Sequence, residues 1–104
     1  MGYFAGRTAV ITGAASGFGL EASRIAAREG MKIVMADVMP EPLAHAAAEV
    51  EALGAEVLPF QLDVSRAERV QALADATMAR FGVPSFVFNN AGIGVGGLIW
   101  EHTV

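Results

Sequence analysis

Cysteine is absent from the 104 residues, which removes disulfides and thiolate metal sites from consideration and suits a reducing cytoplasm. Histidine is scarce. His45 and His102 stand far apart in the chain, whereas a zinc site needs several clustered ligands, so each is read as a solvated or hydrogen-bonded side chain and no metal is expected. Basic residues number seven against eleven acidic ones, a net charge of −4. They form no cluster of the kind that tracks a phosphate backbone, and no nucleic-acid partner is expected. No apolar run reaches the ~18 to 20 residues of a membrane span. The opening "MGYFAGRTAV" has neither a basic n-region nor an apolar stretch behind it, as a secretory signal would. Gly6 occupies the position at which N-myristoylation requires Ser or Thr. The expectation is a soluble, unexported, cytoplasmic protein of one domain, burying roughly 65% of its unfolded surface.

What is present is an alternation of two periods. Short β-rich apolar runs give way to longer stretches with an apolar residue every three or four positions. Residues 7–12, 32–37, 55–61 and 85–89 read as strands. Between them, a helix over 18–29 is closed by Gly30, and one over 41–53, striped by Leu43, Ala46, Ala47, Val50 and Leu53, is closed by Gly54. A third begins at the capping box of Ser65 and Glu68, is striped by Val70, Leu73, Thr77 and Phe81, and stops at Gly82. Pro59 has no ladder donor, so the third strand is expected at an edge or with that nitrogen facing outward. Strands joined by helices predict an α/β fold, a parallel sheet with helices on both faces, and right-handed crossovers restrict its topology.

The stretch "TGAASGFG" leaves the first strand and opens the first helix. In an open parallel sheet, ligands bind beyond the carboxyl ends of the strands. There, Gly13 permits a sharp exit from the strand, Gly17 lets a pyrophosphate approach bare backbone, and Gly19 allows close packing of the helix on the sheet. The helix N-terminus supplies free N–H groups and partial positive charge. Glycine turns of this kind also serve packing alone, and the second observation is therefore Asp37. It closes the second strand about 20 residues on, where a carboxylate accepts from the adenosine ribose hydroxyls. That carboxylate repels a 2′-phosphate, and Ser16 and Val38 carry no compensating cation, so NAD is expected over NADP.

The glycine spacing is G-x-x-x-G-x-G. Together with "LDV" at 62–64 and "NNAG" at 89–92, it resembles the short-chain dehydrogenase/reductase family from residue 12 to residue 92. The resemblance implies a Rossmann-type sheet in strand order 3-2-1-4, incomplete relative to the family. It also implies roles at matching positions. Gly13, Ser16, Gly17, Phe18 and Gly19 would line the pyrophosphate and adenosine ribose, and Asp37 would hold the ribose hydroxyls. Asp63 and Val64 would flank the adenine. Asn90, Ala91 and Gly92 would pass beside the second ribose, with Asn89 bracing the sheet. The implied activity is hydride transfer between a nicotinamide cofactor and an alcohol or ketone, in a parent that is a homo-oligomer.

The family's chemistry, as the resemblance implies it, uses a Tyr acid/base with a Lys four residues later, a Ser and an Asn. An ordinary Tyr phenol, near pH 10, could not otherwise give up its proton at neutral pH. Here Tyr3 and Lys32 are the sole residues of their kinds, and no Ser follows Ser85 nor any Asn Asn90. The 104 residues are therefore expected to be an NAD-binding domain truncated after its fourth strand, inactive alone, with an exposed apolar edge at Phe86 and Phe88. Two alternatives stay open: a dinucleotide-binding half-domain without turnover, and an S-adenosylmethionine-binding Rossmann domain.

Overall fold

The computed structural model describes residues 4–15, 17–62 and 67–90. Four strands and three helices alternate: β1 (Thr8–Thr12), α1 (Gly17–Arg28), β2 (Lys32–Asp37), α2 (Pro40–Glu51), β3 (Val57–Gln61), α3 (Ala67–Arg80) and β4 (Phe86–Asn89). The strands form one parallel sheet in the order β3-β2-β1-β4, the order expected.

Alternation along the central strands divides their side chains between two cores. Ala9, Ile11, Ile33 and Met35 join Val57 against Ala26 and Ala27 of α1 and Leu43, Ala46, Ala47 and Val50 of α2. Val10, Val34 and Ala36 point the other way, onto Leu62 and onto Leu73 and Ala74 of α3. Helices thus cover both faces, and β1 and β2 are apolar on both sides because both sides are buried. Each large side chain buried here, such as Ile11, Ile33 or Leu73, stabilises the fold by about 1.5–3 kcal/mol of transfer free energy.

The edge strands differ. β3 pairs only with β2, and alternate residues of it are exposed. Its ladder joins the Ile33 N–H to the Glu56 carbonyl and the Leu62 N–H to the Asp37 carbonyl. Even-numbered residues therefore turn their backbone towards β2, and the Pro59 nitrogen faces away from the sheet, where no donor is needed. β4 pairs only with β1, and Phe86 and Phe88 are exposed. Phe86 stacks on Phe4 with ring centroids 5.7 Å apart, at one side of an apolar groove of about 360 Å³ between β4 and α1.

Element ends shift slightly from the expected positions. β1 starts at Thr8, β3 at Val57, β4 at Phe86 and α1 at Gly17. α2 starts at Pro40, whose missing N–H costs nothing in a first turn. The same helix ends at Glu51, so Leu53 lies past its stripe, in the exposed turn before Gly54. Gly30, Gly54 and Gly82 each take positive φ after the helix they close. Ser65 of the expected capping box lies outside the described residues.

Candidate functional site

The carboxyl ends of β1, β2 and β4 converge on the glycine-rich turn. Gly13 leaves β1 at φ 64° and Gly17 enters α1 at φ 59°, both in the left-handed region that favours glycine. A side chain at Gly17 would project into open space. Gly19 differs: a Cβ there would stand 2.0 Å from the Gly13 carbonyl oxygen and 3.0 Å from the Ala14 Cα. The first turn of α1 is therefore seated directly on the backbone of the strand exit. The close approach expected between helix and sheet is, more narrowly, helix against turn. Ser23, buried one turn along, returns its hydroxyl to the Gly19 carbonyl at 2.9 Å.

Three strands hold this turn. The Ala14 N–H donates to the Ala36 carbonyl of β2 at 3.0 Å. From the turn just past β4, Asn90 Nδ2 donates to the Gly13 carbonyl at 3.2 Å. Beneath it, buried Thr12 donates its hydroxyl to Asn89 Oδ1 at 2.9 Å, across the register pair Thr12↔Asn89. Asn89 braces the sheet as expected, and Asn90 is brought to the turn.

Asp37 reaches the turn from the end of β2. Its Oδ2 accepts the Ala15 N–H at 3.0 Å, and its Oδ1 accepts the Met39 N–H at 3.2 Å. The carboxylate is half-buried, so it is held in place while still meeting solvent. Sequence reasoning did not find its partners, because both donors are backbone N–H groups that every residue but proline carries. Val38 and Met39 beside it are exposed apolar side chains, as is Phe18 across the turn. Phe18 is among the residues expected here; the sequence signal for Val38 and Met39 was available as apolar residues directly after the end of a strand.

Of the residues expected at the site, Gly13, Gly17, Phe18, Gly19, Asp37 and Asn90 gather at this end of the sheet. Ser16, Asp63, Val64, Ala91 and Gly92 lie outside the described residues. Lys32 opens β2 at the opposite end of the sheet, its ammonium 5.8 Å from the Phe81 ring. Among the described residues there is no cluster of three His, Cys, Asp or Glu that could hold a metal ion, and no helix long and apolar enough to cross a membrane.

These features suit a nucleotide diphosphate with a ribose. Bare backbone opens at Gly17, a helix N-terminus follows it, and a carboxylate is fixed to the turn beside them.

Comparison with known proteins agrees. The family model described as short chain dehydrogenase matches residues 7–103. The chain is similar to "Probable oxidoreductase EphD" of Mycobacterium tuberculosis, at 46% identity over 92% of this chain and 16% of that protein. A short chain dehydrogenase/reductase from Burkholderia phymatum, solved in complex with NAD, superposes with TM-score 0.83 at 50% identity, over 97% of this chain and 36% of that one. L-Sorbose reductase from Gluconobacter frateurii, complexed with NADPH and L-sorbose, gives TM-score 0.81 at 37% identity, over 88% of this chain and 35% of that one. The chain thus spans well under half the length of these relatives, and both nicotinamide dinucleotides occur among them. The match assigns the glycine turn to dehydrogenases and not to S-adenosylmethionine-binding domains. The chain belongs to the short-chain dehydrogenase/reductase family.

Proposed function

We propose that this chain is the NAD-binding part of a cytoplasmic oxidoreductase that moves a hydride between nicotinamide and a small alcohol or ketone. The observation that carries the choice of NAD is Asp37, a carboxylate fixed at the end of β2 against the turn, followed by the neutral Val38 and Met39. A 2′-phosphate placed beside it would meet negative charge, whereas hydroxyls would meet an acceptor.

The bound nicotinamide would supply the hydride chemistry, and the residues of this chain bind and orient. Gly13, Ser16, Gly17, Phe18 and Gly19 would present backbone N–H groups and helix polarity to the pyrophosphate. Asp37 would take the adenosine ribose, Asp63 and Val64 the adenine, and Asn90, Ala91 and Gly92 the second ribose. The proton relay is assigned to none of these residues. Lys32 stands at the far end of the sheet, and the 104 residues hold no Tyr-x-x-x-Lys pair.

Calorimetry on the intact oxidoreductase, titrated with NAD and then NADP, tests the reading. NAD is expected to bind at least about tenfold more tightly, one tenfold step being ~1.4 kcal/mol. Preference for NADP, or no binding of either, would overturn it.

A further inference from the structure

We infer that Asp37 is a positioning residue for the glycine-rich turn, shaping it before any dinucleotide arrives, in addition to the ribose contact proposed above. Its carboxylate ties together two loops. Oδ2 accepts from Ala15 in the turn between β1 and α1, and Oδ1 accepts from Met39 in the link between β2 and α2. The neighbouring bond from the Ala14 N–H to the Ala36 carbonyl is backbone to backbone and survives any side chain at position 37. The Ala15 bond does not.

The turn needs such a tie. It runs between Gly13 and Gly17, both at positive φ, and glycine loses more conformational freedom on ordering than any other residue. A charge-assisted bond to the middle of that span is stronger than a neutral one. It removes freedom that a ligand would otherwise have to remove on binding. The geometry has a second consequence. The Ala15 N–H is turned towards Asp37, so phosphate is left to the donors of the α1 N-terminus. Two bonds use about half of a carboxylate's acceptor capacity, and ribose hydroxyls can be accepted without breaking the clamp.

Two roles at one carboxylate separate experimentally. Amide hydrogen exchange by NMR on the cofactor-free intact protein reads the clamp, comparing wild type with Asp37→Asn and Asp37→Ala. Titration with nicotinamide mononucleotide, which has no adenosine ribose, reads its effect on the phosphate site. A clamp predicts that the Ala15 amide exchanges at least about tenfold faster in Asp37→Ala, the loss of one hydrogen bond to a charged group, with the Met39 amide following. Val10 and Val34, buried in the central strands, should keep their protection. Asp37→Asn, with one amide oxygen left to accept, should fall between the two, and mononucleotide affinity should drop in the same order. If Asp37→Ala loses protection throughout, Asp37→Asn against wild type decides on the same criterion.

An Ala15 amide that exchanges equally in wild type and variants would overturn the inference. So would unchanged mononucleotide affinity alongside a fall in NAD affinity, which would leave Asp37 a ribose ligand alone. The ligand arm rests on the NAD reading; the exchange arm does not. Failure of the wild-type protein to bind NAD would therefore sink that reading while Ala15 still reported on the clamp.

Discussion

Replacing Gly19 by Ala tests the construction of the turn at its narrowest point. The added Cβ would lie 2.0 Å from the Gly13 carbonyl oxygen and 2.7 Å from its carbon, both backbone atoms that cannot rotate away. Restoring ordinary contact requires helix and turn to separate by roughly 1.4 Å along that line. The displaced carbonyl accepts from Asn90, and the next residue anchors the turn to Ala36, so movement strains at least two hydrogen bonds. Overpacking costs ~1–3 kcal/mol and a weakened hydrogen bond ~1 kcal/mol, offset by the ~1 kcal/mol that Ala gains over Gly in a helix. The net loss is about 2 kcal/mol, read as a lower urea midpoint. NAD affinity should fall by about tenfold or more, because the helix N-terminus moves with the turn. Gly54→Ala is the control: Gly54, unlike Gly19, stands at positive φ, with open space around the added carbon and far from the turn. It should lose stability through backbone strain alone, ~1–2 kcal/mol, and leave NAD affinity untouched. A Gly19→Ala protein with wild-type stability and affinity would refute the seating of α1 on Gly13.

Thr12→Val removes the hydroxyl that joins β1 to Asn89 at a buried site and should cost ~1–2 kcal/mol in urea unfolding; unchanged stability would show that this cross-strand bond carries no weight. Glu49 accepts from Arg24 at 2.6 Å, and this hydrogen bond holds its carboxyl below the ordinary 4.5. The stabilisation is then present above that value and lost as pH falls through the depressed native one. Glu49→Gln should therefore lower the urea midpoint slightly at pH 7, the pair being solvent-exposed, and the gap to wild type should be smaller at an acidic pH below 4.5. An equal gap at both pH values would refute the assignment.

Much of the fold was legible in the sequence because its signals are local and periodic. Apolar runs of strand length at 32–37, apolar stripes at Leu43 to Val50, and glycines at the helix ends each act within a few residues of themselves. Pro59 announced an edge because a missing donor is tolerated only where no neighbour asks for one. The end of α2 at Glu51 is not marked by the stripe, which runs on to Leu53, for the complementary reason: a helical stripe shows which face is apolar, not where the backbone stops helical bonding.

At the site, residue type and spacing placed Gly13, Gly17, Gly19 and Asp37 at one end of the sheet, since parallel strands put all their carboxyl ends together, and the family resemblance added Asn90. Tertiary structure alone decided what each touches. That Gly19 is glycine on account of the Gly13 carbonyl, and that Asp37 is held by the N–H groups of Ala15 and Met39, depends on backbone atoms common to nearly every residue. Such groups leave no mark in the sequence, and they acquire a partner only when the fold brings them within hydrogen-bonding distance.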